Sequence, residues 1–439
     1  MVVQIRKKVS GSAQSFFMFM MFMWVASSSY YTSFNFAKNP VLMPIFVLIL
    51  FYYYVKYCKY SFKPLLIIVS IFAFWTFVST MKYGQYIGTH YPVFYSIIIA
   101  HVAFNIFNRD EFFRMFEKTL VRFCLLSLVV WLCANIIGGP FVNFMRSISV
   151  INPSPPTETY SFLVGLGSQF EMGIRRNIGF TWEPGVFSCW VLLGIYINLV
   201  RNNFILLSFK KNRNFYILLA TLLSTLSTTG YSILAILILF VLLNKRSATF
   251  RISMIVLCIV LIPTILSLSF MSDKIMGLMN LDQGFKAIDY YSTQERYNLV
   301  TPQRFTGFYV AWLNFINDPL LGYNQLPYSY VSKVLFEGSV VVAPSEGILA
   351  MLGNYGLFIG LFFYYWLIRS SVYLSRVFQY KGKFMFLIFF LAISFSYGFW
   401  ENCIFMYFYL CTFYKKFDSR YFDENPYSAT RFRNNTIIK

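Results

Sequence analysis

The residues best suited to chemistry sit in two polar stretches of an otherwise apolar chain. The first reads Arg175-Arg176-Asn177-Ile178-Gly179-Phe180-Thr181-Trp182-Glu183-Pro184-Gly185 and runs directly into an apolar segment. Arginine presents a planar fork that fits phosphate or carboxylate oxygens two at a time, and a nearby carboxylate can take a proton from a hydroxyl. Glu183 falls at an expected helix N-terminus, where negative charge is stabilised. Pro184 suits the first helical position, because its missing N–H costs nothing there. Glu183 therefore has two readings: a helix cap beside a surface Arg176, or part of a site for a phosphate-bearing or sugar substrate.

The second stretch holds Arg296 and then Thr301-Pro302-Gln303-Arg304. Phe305, Phe308, Tyr309, Trp312, Leu313 and Ile316 follow at the spacing of one apolar helix face. Thr301 reads as the N-cap of that helix and Pro302 as its first residue, and Asp318-Pro319-Leu320-Leu321-Gly322 ends it. Such a helix is expected on the membrane surface or the domain roof. Arg304, in the first turn, opposes the helix dipole by a few tenths of a kcal/mol, which fits service to a ligand. Weaker candidates are Glu401, either a buried acid or a turn residue, and Thr228-Thr229, which either bond backbone carbonyls or line a cavity. Of the two histidines, His90 falls in a short loop and His101 within an apolar run, where a satisfied buried group competes with a catalytic one. No P-loop, GxSxG or HExxH occurs, and the seven cysteines form no CxxC. Neither a metal nor another cofactor is expected.

The elements that position these groups belong to a membrane protein. Hydrophobic residues make up 58% of the 439 positions and charged residues 12%, with mean hydropathy +0.58. A soluble chain carries roughly 25% charged residues. Apolar runs of about 15–20 residues match bilayer-spanning helices, which satisfy their own backbone hydrogen bonds in lipid. The short alternating segments of a β-barrel are missing. Spans are expected at 16–34, 41–55, 64–80, 92–107, 123–138, 185–200, 215–228, 231–243, 252–270, 347–367, 384–397 and 400–414. The fold class is thus all-α: one polytopic domain over 1–439 with about twelve spans. Two long loops, 139–184 and 271–346, face outward, and their nearly balanced charges suggest folded caps.

The stretch 215–243 decides the topology. Read as two helices meeting at Ser227-Thr228-Thr229-Gly230, it places 27 of the 37 Lys and Arg on one side of the membrane. As one helix it divides them almost evenly, so the positive-inside rule favours two, with both termini cytoplasmic. The net charge of +20 is then mainly a topology signal, and nucleic-acid binding is not expected. Arg6-Lys7-Lys8 before an apolar run is similar to a secretion signal, yet the run is long and reads as an uncleaved first span.

In order, Arg176-x-x-Gly179, Glu183-Pro184, Ser227-Thr228-Thr229-Gly230, Arg304, Pro319-Leu320-Leu321-Gly322, Ser345-Glu346-Gly347 and Leu352-Gly353-Asn354-Tyr355-Gly356 resemble the bacterial O-antigen polymerase and ligase superfamily. The resemblance implies an inner-membrane glycosyltransferase with the helical architecture of lipid-sugar-dependent (GT-C-like) enzymes. Its substrate would be an oligosaccharide repeat on undecaprenyl diphosphate, joined to the next repeat on the periplasmic side. By that carry-over Arg176 and Arg304 hold the diphosphate or glycan, with Arg175, Arg296 and Tyr323 as substrate-binding neighbours. Glu183 either activates the acceptor hydroxyl or orients Arg176. A flippase and a chain-length regulator are the partners implied. The ligase branch carries a late histidine where this chain reads Ala343-Pro344-Ser345-Glu346, so polymerase is the better fit. A flippase as such would show two related halves and charges scattered through its spans, and neither is seen.

Overall fold

The computed structural model describes residues 9–28, 39–58, 62–84, 91–152, 159–171, 173–244, 252, 281–292, 299–302, 304–323, 329–337, 340–344 and 347–417. The chain is mostly helical. Helices α1 (Gly11–Ser28), α2 (Leu42–Tyr57), α3 (Phe62–Tyr83), α4 (Tyr91–Ile106) and α5 (Arg109–Ile136) are followed by the short α6 (Gly139–Ile148). After a small sheet come α7 (Pro184–Arg201), α8 (Arg213–Ser224) and α9 (Thr228–Asn244), then α10 (Leu281–Ser292) and α11 (Arg304–Asn317). The chain continues through α12 (Ile348–Val377), α13 (Met385–Ser394), α14 (Cys403–Tyr409) and α15 (Cys411–Phe417).

Among the described residues, α3, α5, α7 and α12 are long and apolar enough to cross a membrane, and α1, α2, α4, α9 and α13 are shorter apolar helices. The expected span 252–270 lies, beyond its first residue, outside the described residues. Helices α8 and α9 are separate, as the charge count required, and Leu226 takes a positive φ of 47° between them. The expected last span is two short helices, α14 and α15.

Helix α7 is the axis of the molecule. It is apolar on all sides and buried from Pro184 to Val200, as an all-round hydrophobic helix must be, and it packs against α5, α8 and α9. Trp190 on α7 meets the rings of Phe22, Phe180, Phe399 and Phe405. At the C-terminal end of α7, Glu117 of α5 is enclosed by Arg201, Asn198 and Asn214. Nearby on the same end, Gln14 of α1 bonds Glu111 at the start of α5. The opposite end of α7 carries the polar loops.

An all-α expectation misses the first of those loops, which folds as a four-stranded antiparallel sheet: β1 (Val150–Asn152), β2 (Thr159–Ser161), β3 (Gly165–Glu171) and β4 (Ile174–Asn177), in that order. Outside lipid, water can satisfy an open sheet edge, so the helix-only constraint does not apply. The sheet sits on the last turns of α5, where Asn135 accepts from the Arg175 N–H at 2.8 Å. The second loop has its own small core of Ile288, Val300, Val310, Val331, Val340 and Val342. A parallel pair, β5 (Leu299–Val300) and β6 (Val341–Val342), holds it together.

Helix α11 starts at Arg304, so Thr301 and Pro302 precede it and are not its cap and first residue. Its face packed on α12 is the one with small side chains. Thr306, Gly307, Val310, Ala311 and Asn314 are buried, while Phe305, Tyr309, Trp312 and Ile316 stay exposed. Small side chains let α11 approach α12 closely, with the Ala311 carbonyl beside Gly353, and close packing against a long neighbour outweighs burial of the wider stripe.

Candidate functional site

Four connections converge at the N-terminal end of α7: the β4–α7 turn, the α8–α9 break, the start of α11 and the α13–α14 connection. Gly179 makes the first possible. Its φ of 56° is a conformation that suits glycine, and a Cβ there would enter the Phe187 ring. The chain can therefore turn sharply from the sheet into α7, leaving Glu183 at the N-cap position and Pro184 first in the helix. Both placements match the sequence, but the Glu183 side chain makes no capping bond. Its carboxylate instead lies 4.0 Å from Arg304 Nη2.

Arg304 turns away from its own helix. Its Nη1 donates to the hydroxyls of Thr229 and Ser396, and its Nη2 donates to the Tyr397 hydroxyl at 2.9 Å. The guanidinium also lies over the Tyr397 ring, 4.9 Å from its centre. The dipole cost expected of a first-turn cation is thus offset by three hydroxyls and one carboxylate from other elements. Gly185 leaves room for this contact: a Cβ there would collide with the Tyr397 hydroxyl and come within 3.2 Å of Arg304 Nη2. The Tyr397 hydroxyl is held well above its ordinary pKa, first by enclosure and then by the Glu183 carboxylate, with Arg304 opposing. It stays a neutral donor and acceptor between the two charges.

Arg176 stands on β4, on the opposite face of the strand from Arg175 by the alternation of a strand. Its Nε donates to the Thr225 carbonyl at 3.0 Å and its Nη1 to Gln169 at 3.4 Å. Thr225 and Gln169 accept its hydrogen bonds. Burial pushes its pKa below the ordinary value, while Glu171, Glu183, Tyr397 and Tyr231 push it back up. The same carboxylate therefore acts on both Arg176 and Arg304.

The structure brings together Arg176, Glu183 and Arg304 and does not add Arg175 to them. Arg175 donates to the Gly167 carbonyl and stacks on Phe170 at 4.6 Å, tying the hairpin together. Arg296 lies outside the described residues. Tyr323 is buried against α12, its N–H donating to the Gly353 carbonyl at 2.9 Å. His101 is enclosed beside the Tyr414 hydroxyl at 2.9 Å, and His90 lies outside the described residues. Among the described residues no group of His, Cys, Asp and Glu could hold a metal. Reading the sequence missed Ser396 and Tyr397; the only signal was the polar interruption Ser394-Phe395-Ser396-Tyr397-Gly398 after an apolar run.

Chemically, one carboxylate stands 4.0 Å from the Arg304 guanidinium and within electrostatic reach of Arg176, beside the hydroxyls of Thr229, Ser396 and Tyr397. That set can hold a dianion and receive a proton next to it. No protein-family model matches the chain, and no curated protein matches it.

Proposed function

We propose that the chain is a glycosyltransferase that polymerises lipid-diphosphate-linked oligosaccharide repeats in a bacterial inner membrane. The reading includes about twelve spans, cytoplasmic termini and a periplasmic site. The observation that carries it is the approach of Arg304 to Glu183, from two segments far apart in sequence, with Arg176 of the β4–α7 segment within electrostatic reach of the same carboxylate. Arg176 and Arg304 bind the diphosphate of the donor. An acceptor hydroxyl attacks the sugar carbon, the bond to the diphosphate breaks, and the electron pair leaves with the phosphate oxygen. Glu183 accepts the hydroxyl proton, and the two arginines offset the charge on the departing lipid diphosphate. The step needs no nucleotide.

The test is the surface-polysaccharide ladder of a deletion strain complemented with wild type, Arg176→Ala or Arg304→Ala. Loss of one positioned donor of this kind costs on the order of 10²–10³ in rate, so both variants should give a single capped repeat in place of a ladder. Lipid-linked polymer accumulating without transfer would make the chain a ligase, and repeats trapped on the inner face would make it a flippase. An unchanged ladder would remove the glycan reading.

A further inference from the structure

A second polar feature lies toward the other end of the molecule, in a groove of about 510 Å³ between α1 and α5. One part of the groove is lined by Arg122, Ser12, Ser15 and Thr119, and the rest by phenyl and leucyl side chains such as Phe19, Phe123 and Leu126. Ser12 and Ser15 belong to the first turns of α1, so the polar part faces the end of the bundle opposite the Arg304 cluster. The groove is therefore amphipathic along its length, with a cation and hydroxyls at one end and hydrocarbon at the other.

Arg122 is the only charged residue of α5 beyond Lys118. With Arg114 and Lys118 it forms an exposed row at every fourth position, one face of the helix. None of the three has a carboxylate within ion-pair distance among the described residues. The acids of α5 are committed elsewhere: Asp110 to Arg109, Glu111 to Gln14 and the Asn108 cap, Glu117 to Arg201 and Asn198. Like charges four residues apart repel along a helix, and Arg122 brings that row to the mouth of the groove. An anion presented from the bilayer relieves that repulsion.

We propose that this groove binds one anionic phospholipid from the leaflet opposite the Arg304 cluster. The phosphate sits on Arg122, which can engage two of its oxygens, and the Ser12, Ser15 and Thr119 hydroxyls complete its hydrogen bonds. One acyl chain follows the apolar part of the groove, and Lys118 and Arg114 extend the positive surface toward the headgroups, as basic residues do beside anionic membranes. The inference stands apart from the glycosyl-transfer reading, since it uses none of that site's residues.

The test is native mass spectrometry of the full chain, released from neutral detergent after incubation with phosphatidylglycerol or phosphatidylcholine. Wild type should retain one phosphatidylglycerol, and phosphatidylcholine at least tenfold less. Arg122→Gln should weaken phosphatidylglycerol retention at least tenfold, while Arg369→Gln, the same charge change on α12, should leave it unaltered. Leu126→Trp, which fills the apolar part with Arg122 intact, should also displace the lipid. If Arg122→Gln does not stay folded, Leu126→Trp and Arg122→Lys carry the test. Equal retention of the two lipids, an unaltered Arg122→Gln, or an equal loss in Arg369→Gln would overturn the proposal. So would displacement of the lipid by millimolar inorganic phosphate, which would assign the site to the free anion.

Discussion

Tyr397 connects the two charges of the candidate site without carrying one. Its hydroxyl accepts from Arg304 Nη2 at 2.9 Å and is held protonated beside Glu183. Removing a hydrogen bond to a charged group costs about 1.5–3 kcal/mol, roughly a 10–100-fold change. Tyr397→Phe should lower the rate of the proposed polymerisation by that factor while leaving the melting temperature within a few degrees, because the ring keeps its packing. A rate equal to wild type would show that the hydroxyl positions nothing. These residues differ in how far the sequence announces them. Arg176, Glu183 and Arg304 stand out because charge is rare in an apolar chain, whereas Tyr397 is one of 33 tyrosines, marked only by the polar interruption it sits in.

At the scale of elements, α12 shows what a hydropathy pattern leaves unread. Residues 347–367 read as one span, yet the helix runs to Val377 and bends at Gly356, whose φ of 65° and ψ of −172° are open essentially to glycine alone. The bend frees N–H groups at the start of the second half, as any helix start does. The Leu357 N–H donates to the Pro319 carbonyl at 2.8 Å, and the Phe358 N–H to the Leu320 carbonyl at 3.4 Å. The Pro319-Leu320-Leu321-Gly322 segment thus caps a helix across the interface, and Trp75 and Tyr83 of α3 bond its last carbonyls at 3.1 and 2.6 Å. In sequence the motif reads only as a helix stop, because its partner lies more than thirty residues away. Gly356→Ala would force an alanine into that backbone, at about 1–3 kcal/mol, and drive its Cβ into the Leu320 carbonyl. A melting-temperature loss of several degrees by tryptophan fluorescence is expected. Retention of the wild-type value would mean that the bend is not held by these contacts.

At the scale of the whole molecule, the positive-inside rule and the side-chain clusters are independent routes to an arrangement. The rule counts basic residues along the sequence; the clusters report which helix ends meet. Eighteen residues of α7, about 27 Å at 1.5 Å per residue, separate Glu183 beside Arg304 from Arg201 beside Glu117. That distance is close to the roughly 30 Å of a hydrocarbon core, so the two polar clusters belong to opposite faces of the membrane. Helix α8, with 12 residues, and α13, with 10, reach only about 18 and 15 Å. Their connections therefore close against the sides of longer helices: Ser227 meets Ser188 one turn inside α7. The candidate site lies at these connections, at the N-terminal end of α7. Apolar runs in the sequence mark helices such as α3, α5, α7 and α12, but the position of the site depends on helix ends that a sequence locates only to a few residues. The arrangement predicts the labelling of single cysteines in a cysteine-free background. Ile174→Cys, exposed on β4, should react with a membrane-impermeant maleimide added to spheroplasts, and Lys210→Cys, exposed between α7 and α8, only after the membrane is opened. Labelling of both from the same side would contradict opposite faces for the two ends of α7. The reverse order would keep the two faces and invert the protein, placing Arg176 and Arg304 in the cytoplasm and removing the periplasmic reaction.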